Sequence, residues 1–319
     1  MEIHNQTMAK YFLILGFSSF HQFQNLLFFI ILLVYLTILT GNLSIIMLVK
    51  VEISLHSPMY FFISSLSVLE ILYVSVIVPK LLLNLLAVST SISYAGCFVQ
   101  LYTFHSLGIT ECVLLGVMAF DRYLAICNPL RYETIMTKKF CIQLAACSWL
   151  LGFSAALIPT ILAARLLFCG QNEINHFFCD LAPLLNLACT DISFNIVVNS
   201  SVAGCAAMIP FSLIIVFYIN IIIAVLKIKT EEGRHKAFST CSSHLIVVIL
   251  FYGSALIVYV RPKGSFPVDY DKLLSLTYAV FTPLFNPFIY SLRNNNVKEA
   301  ARKLYRHHFI APEMNVLRT

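Results

Sequence analysis

Long apolar runs alternate with short polar breaks along the whole chain, and the pattern repeats seven times. No charged residue occurs from Tyr11 to Val49, and the stretch Leu26 to Val49 is long enough for a first span. Glu70 is the one charge between Glu52 and Lys80, so Pro58 to about Leu85 forms a second. A third runs from near Cys97 to Ile126, with Glu111 inside it and Asp121 and Arg122 near its end. Phe140–Ala164 and Ile192–Leu226 are uncharged, and Ala237–Val260 and Leu273–Leu292 complete the set. A bilayer-crossing helix needs about 20 apolar residues at about 1.5 Å each, and every run meets that length. A transmembrane barrel would show short alternating strands, and lipid tolerates no unpaired backbone, so the runs predict helices. The expected fold is an all-α membrane protein: a seven-transmembrane helix bundle with a short amphipathic C-terminal helix.

That last element rests on Val297, Ala300, Ala301, Leu304, Tyr305, His308 and Phe309, which recur at three and four, while Lys298, Arg302, Lys303 and Arg306 fall off the stripe. Such a helix lies on an anionic lipid surface. Orientation follows from lysine and arginine. One set of loops, with the tail, carries fourteen of them, among them Arg131, Lys138, Lys227, Lys229, Arg234, Lys236 and Lys298; the other set carries five, Lys10, Arg165, Arg261, Lys263 and Lys272. The richer set is expected in the cytosol. This divides the chain into an extracellular N-terminus (1–25), the bundle (26–292) and a cytoplasmic tail (293–319), in a multi-pass protein of the plasma membrane. The sequon Asn5-Gln6-Thr7 suits a lumenal N-terminus. Sequons at Asn42 and Asn199 fall inside spans and are accidental by this reading. The first apolar run is too long for a cleaved signal and reads as an anchor.

Composition agrees. Of 319 residues, 59% are hydrophobic and 11% charged, against roughly 25% charge in an average soluble domain. The net charge of +6 sits in short loops and not on a basic face with interleaved aromatics, so it reads as a topology signal and no nucleic-acid partner is expected. Of ten cysteines, Cys97, Cys169, Cys179 and Cys189 fall outside, where disulfides persist. Four cysteines allow three pairings; a bridge from Cys97 to the loop of about 165–193 would pin that loop over the bundle.

Charges inside a membrane need a reason. Glu70 and Glu111 lie mid-span at similar depth and can share a proton or hold a cation, or pair neutrally to specify packing. Asp121-Arg122-Tyr123 ends the third span, where a charge pair can open for a partner. Asn286-Pro287-Phe288-Ile289-Tyr290 in the seventh can kink as a hinge, with the asparagine rebinding freed backbone groups.

These motifs meet a family. The chain resembles the rhodopsin-like G-protein-coupled receptors and, within them, the vertebrate odorant receptors of the large tetrapod class. The resemblance covers nearly the whole chain. It rests on Gly41-Asn42, on Leu55-His56-Ser57-Pro58-Met59-Tyr60-Phe61-Phe62, on the run from Met118 to Tyr132, on Lys236-Ala237-Phe238-Ser239-Thr240-Cys241-Ser242-Ser243-His244-Leu245, and on the run from Pro283 to Asn294. It implies bridges Cys97–Cys179 and Cys169–Cys189. It also implies that Arg122, Tyr218 and Tyr290 rearrange on activation to admit a G-protein tail, and that Tyr252 stands at the superfamily's span-six switch. Two positions depart from the pattern: Glu70 stands where the family has aspartate, and Phe217 where serine precedes the span-five tyrosine.

A small ligand is expected between the outer halves of spans three, five, six and seven. Helical spacing selects Phe104, His105, Gly108, Ile109 and Cys112. The resemblance adds Val202, Ala203, Ala206, Tyr252, Ala255, Leu256, Tyr259, Leu276 and Ala279. Apolar walls with sparse polar anchors suit a small volatile or semi-volatile odorant. His105 with Cys112 two turns below is not a metal site by spacing, and no cofactor is implied. An amine receptor would have aspartate near Phe104, an opsin a lysine near Val280, and a transporter a repeated half; none is present. The chain reads as a receptor, not an enzyme, whose implied partner is the olfactory-type stimulatory heterotrimeric G protein that raises cyclic AMP.

Overall fold

The computed structural model describes residues 10–17, 22–169, 172–259, 268–293 and 295–305. Its long helices are α1 (Gln24–Val51), α2 (Pro58–Leu85), α3 (Tyr94–Cys127), α5 (Lys138–Ala164), α7 (Ser193–Leu226) and α8 (Glu231–Tyr259). The last crossing is split into α9 (Val268–Leu276), a π-helical turn (Thr277–Phe281) and α10 (Thr282–Arg293). Short helices α4 (Pro129–Ile135), α6 (Leu181–Leu185) and α11 (Asn295–Tyr305) lie between or after them. Among the described residues six helical stretches are long and apolar enough to cross a membrane, and Cys241–Ile257 of α8 is a shorter apolar stretch, which together make the seven-helix bundle.

Local chemistry sets several boundaries. Ser93 caps α3 by accepting from the Gly96 N–H at 3.1 Å, and Thr137 caps α5 by accepting from the Phe140 N–H at 3.3 Å. Pro58 opens α2, where its missing N–H is harmless. The π turn in the last crossing corrects the expectation of one plain kinked helix over Leu273–Leu292. Pro283 has no N–H to offer the carbonyl four residues back, and its ring crowds that carbonyl, so the preceding turn widens.

The inward faces are mostly large apolar side chains, with the polar groups Asn42, Glu70, Glu111 and Asn286 set among them. On α1 only Ile31, Ile38, Asn42, Ile45 and Leu48 are buried, one stripe of a helix otherwise turned outward. Helix α3 threads the middle and is buried along most of its length against α2, α5 and α7. Its crossing with α5 depends on Gly152: a Cβ there would stand 2.6 Å from the Ser106 carbonyl oxygen and 2.9 Å from the Thr110 nitrogen.

One feature is absent from the all-helical expectation. At one end of the bundle β1 (Tyr11–Ile14) lies between β2 (Ser91–Ser93), antiparallel, and β3 (Glu173–Ile174), parallel. Phe12 and Ile14 point inward and are fully buried with Cys97, Phe98, Leu101 and Cys179. Disulfides join Cys97 to Cys179 and Cys169 to Cys189 at this end. The N-terminal segment is tied down further. The Asn84 amide donates to the Ile14 carbonyl at 2.7 Å, and the buried Lys272 ammonium donates to the Gly16 carbonyl at 2.8 Å. At the opposite end α11 buries Val297 and Ala300 and exposes Lys298, Arg302 and Lys303. Ala301, expected on the apolar stripe, is exposed, while the side chains from Leu304 onward lie outside the described residues. Asn5 also lies outside them.

Candidate functional site: an aromatic cluster, a buried carboxylate pair and a histidine latch

The sheet end positions the first cluster. The Cys97–Cys179 bridge fixes the loop before α6 to the first turn of α3, with Cα atoms 5.4 Å apart. Gln100 reinforces it, accepting from the Cys179 N–H at 2.9 Å and donating to the Val76 carbonyl at 2.8 Å. Phe178 is thereby set on Phe104, ring centroids 4.7 Å apart. Phe104 packs on Tyr73 at 4.8 Å, and Tyr73 meets Tyr278 edge-on at 6.4 Å. Phe251 lies 6.0 Å from Tyr278, and Tyr252 lies 4.7 Å from Phe211. A belt of rings from α2, α3, α7, α8 and the π turn therefore surrounds the face of α3 selected by helical spacing.

Phe104 and Cys112 are buried; His105, Gly108 and Ile109 are half-buried; a Cβ on Gly108 would meet the Tyr278 hydroxyl at 3.9 Å. Val202 and Ala206 lie on the inward stripe of α7 that continues through Pro210, Ile214 and Tyr218. Tyr252, Ala255 and Leu276 are half-buried against the core, and Ala279 is buried in the π turn. Two residues need correcting. Leu256 is 59% exposed and shares an outward face with Leu245 and Ile249, at spacings of seven and four. Ala203 is exposed beside the stripe that takes Val202. The Tyr259 side chain lies outside the described residues. Phe178, Tyr73, Phe211, Phe251 and Tyr278 were missed; the only sequence signal was Phe177-Phe178 beside a loop cysteine.

Above the belt, His105 Nε2 stands 3.8 Å from Asp180 Oδ1. Asp180 also accepts from the Leu181 N–H at 2.8 Å and so caps α6. Burial works to raise the Asp180 carboxyl. The bond with His105, the charges of His176 and His105 and the Leu181 N–H outweigh it and hold the carboxyl below its ordinary value.

In mid-bundle, Glu70 and Glu111 are both buried. The Asn286 amide donates to Glu70 Oε1, so the asparagine is spent on the carboxylate and not on backbone freed by Pro287. Glu70 Oε2, Glu111 Oε1, Asn42 Oδ1 and Asn286 Oδ1 have no hydrogen-bond partner among the described residues. These four oxygens come from α2, α3, α1 and α10 in turn. Gly41, next to Asn42, lets α1 approach the Pro287 bend, where a Cβ would stand 3.1 Å from the proline ring.

At the end opposite the sheet, Arg122 Nη2 donates to Asp121 Oδ2 at 2.7 Å, with both side chains nearly inaccessible. Helix α4 brings Tyr132 beneath them, donating to Asp121 Oδ1 at 2.8 Å. Burial first, then the Asp121 charge and this bond, push the Tyr132 phenol up, so it stays a donor. The Tyr218 hydroxyl lies 2.8 Å from His244 Nδ1, and His244 Nε2 lies 3.2 Å from the Leu115 carbonyl oxygen. A carbonyl only accepts, so Nε2 carries the proton, Nδ1 is the acceptor and Tyr218 donates. One imidazole thus latches α3, α7 and α8 together, a role not seen in the sequence. Phe217 packs between Phe120 and Tyr123, ring centroids 5.6 and 5.4 Å away, which accounts for an aromatic ring at that departure from the pattern. Tyr290 is buried near the same end of α10.

Seven apolar helices, a disulfide-pinned loop over an aromatic cluster, and a buried acid–arginine pair at the far end define a rhodopsin-like receptor of the membrane, not an enzyme. The family profile described as olfactory receptor matches residues 31–308. Olfactory receptor 6N1 of Homo sapiens is 48% identical over 95% of this chain and 97% of its own length. Olfactory receptor 5P68 of Mus musculus is 47% identical over 94% and 95%, and olfactory receptor 226 of Rattus norvegicus 48% over 92% and 90%. The chain belongs to the olfactory receptor family of G-protein-coupled receptors.

Proposed function

We propose that the chain binds a small volatile or semi-volatile odorant within the aromatic belt and, on binding, activates an olfactory-type stimulatory G protein, raising cyclic AMP. The observation that carries this reading is the histidine latch beside the Asp121–Arg122 pair, in the same helices whose other halves line the belt. The ligand binds more tightly to the arrangement in which the Arg122 end of α8 has swung outward. That swing parts Tyr218 from His244, frees Arg122 and Tyr123 to meet the G protein, and bends α10 at Asn286-Pro287 with Tyr290 following. His105, steadied by Asp180, is the polar anchor for the odorant. Glu70 and Glu111 hold a proton or a small cation among their unpartnered oxygens, a charge that tracks the position of α10. The sheet end faces the outside of the plasma membrane, with Asn5 glycosylated, and the basic tail faces the cytosol against anionic lipid.

The test is cyclic AMP in cells expressing the chain with the olfactory G protein, across an odorant panel, at matched surface level. Arg122→Ala should abolish the response, and Tyr259→Phe should shift potency without abolishing it. A response unchanged in the Arg122 variant would refute the coupling. Removal of a glycan from Asn5 by an endoglycosidase, seen as a mobility shift, tests the orientation separately.

A further inference from the structure

A cavity of about 400 Å³ opens between α7 and α8 at the Arg122 end, within the size range of small-molecule sites. It has two kinds of wall. Ile222, Phe238 and Leu245 are 45%, 50% and 38% exposed and form an apolar outer wall where the apolar stretch Cys241–Ile257 begins. Ile221, Val225 and Cys241 are buried and form the floor. The cleft is therefore apolar on its outer wall and floor and polar at the His235 end, the profile of a slot at a membrane boundary. A lipid chain reaches it without leaving its own solvent.

The mouth is charged. Lys227 caps the end of α7 two residues beyond Val225, Lys229 follows, and Arg234 precedes the lining residue His235; all are exposed. With Lys236, residues 227–236 hold four cations against Glu231 and Glu232. None of Lys227, Lys229 or Arg234 is in an ion pair with a described residue. An apolar slot with unpaired cations at its rim, between helices at the basic end of a membrane bundle, has the recognition chemistry of an anionic phospholipid. We infer that an anionic phospholipid of the inner leaflet occupies this cleft, one acyl chain between α7 and α8 and its headgroup on Lys227, Lys229 and Arg234. The choice of the inner leaflet rests on the orientation proposed above.

The experiment uses the full-length receptor in nanodiscs of phosphatidylcholine, doped with a phosphatidylserine that carries a photoreactive group on one acyl chain, or with the matched phosphatidylcholine probe. Labelled peptides are mapped by mass spectrometry. The serine probe should label the peptides spanning Ile221–Val225 and Phe238–Leu245 at least about fivefold more than the choline probe, the factor one well-placed cation supplies at an anionic headgroup. Combined Lys227→Gln, Lys229→Gln and Arg234→Gln, all at exposed positions that leave the packing intact, should bring the two probes level. Ala237→Trp, which fills the slot from α8, should remove the serine-probe labelling. Equal labelling by both probes in the unaltered receptor means only annular hydrocarbon contact and overturns the inference, as does serine-probe labelling that survives Ala237→Trp or the triple variant. Symmetric nanodiscs make the result independent of orientation, so this inference and the Asn5 glycan test fail separately.

Discussion

His244→Phe isolates the latch. Phenylalanine keeps a planar ring in the place where imidazole stacks on Tyr218, with centroids 5.8 Å apart and planes 6° from parallel. What it removes is the bond to Leu115 and the nearer of two acceptors for Tyr218, leaving the Cys241 carbonyl at 3.3 Å. Each bond contributes a net of about 1 kcal/mol to the arrangement that contains it. Both join helices that separate when α8 swings, so the closed arrangement loses roughly 2 kcal/mol relative to the open one. That is about a 30-fold shift in the equilibrium. A receptor active about one time in a hundred without ligand would become active about one time in four or five. The assay is cyclic AMP without odorant at matched surface level, beside His244→Gln, whose amide offers one donor and one acceptor and should return basal output most of the way to normal. A His244→Phe receptor that still answers odorant but shows unaltered basal output would refute the latch.

Three further outcomes follow from the same geometry. Loss of the Cys97–Cys179 bridge, which spans 82 residues, should lower the melting temperature more than loss of Cys169–Cys189, which spans 20, by about 1 kcal/mol from loop length alone; equal effects in detergent unfolding would contradict this. Gly152→Val should prevent α3 and α5 from closing at Ser106 and Thr110 and abolish surface expression, read by flow cytometry, whereas Gly204→Ala, with open space at its Cβ, should not. Asp180 has a lowered carboxyl pKa, so its stabilisation is full above the ordinary aspartate value of about 3.9 and fades as pH falls through the lower folded value. The melting-temperature gap between the unaltered receptor and Asp180→Asn should therefore close in strong acid, and a gap independent of pH would disprove the charge pairing.

The spans were legible because lipid imposes one demand over about 20 consecutive residues, and Ala164 and Leu226 fall at helix ends where charge resumes. Asp121 and Arg122 stood out because charges at a span end are conspicuous. The sheet was not legible: its strands are two to four residues long, and β1 has partners about 80 and 160 residues away. Nor was the latch, since a lone histidine in an apolar span looks like packing until Tyr218 and the Leu115 carbonyl arrive from two other helices. Leu256 and Ala203 mark a geometric limit. Both came from the resemblance and not from spacing; each adjoins a residue turned further inward, Ala255 and Val202, and one residue along a helix turns the side chain by about 100°.

The central place of β1 has a consequence for how the receptor is made. Ile14 pairs with Ile174, so the first strand to emerge from the ribosome waits for about 160 more residues before its parallel neighbour exists. At about 5–20 residues per second the wait is roughly 8–30 seconds. For about the first half of it Phe12 and Ile14, fully buried in the finished receptor, have nothing to bury them and the strand has two open edges; once Ser91–Ser93 has been made, the edge that β3 will take stays open. The cap over the aromatic cluster thus closes after four helices have been inserted, and the newborn N-terminus is a segment that a folding chaperone of the secretory pathway has time to find.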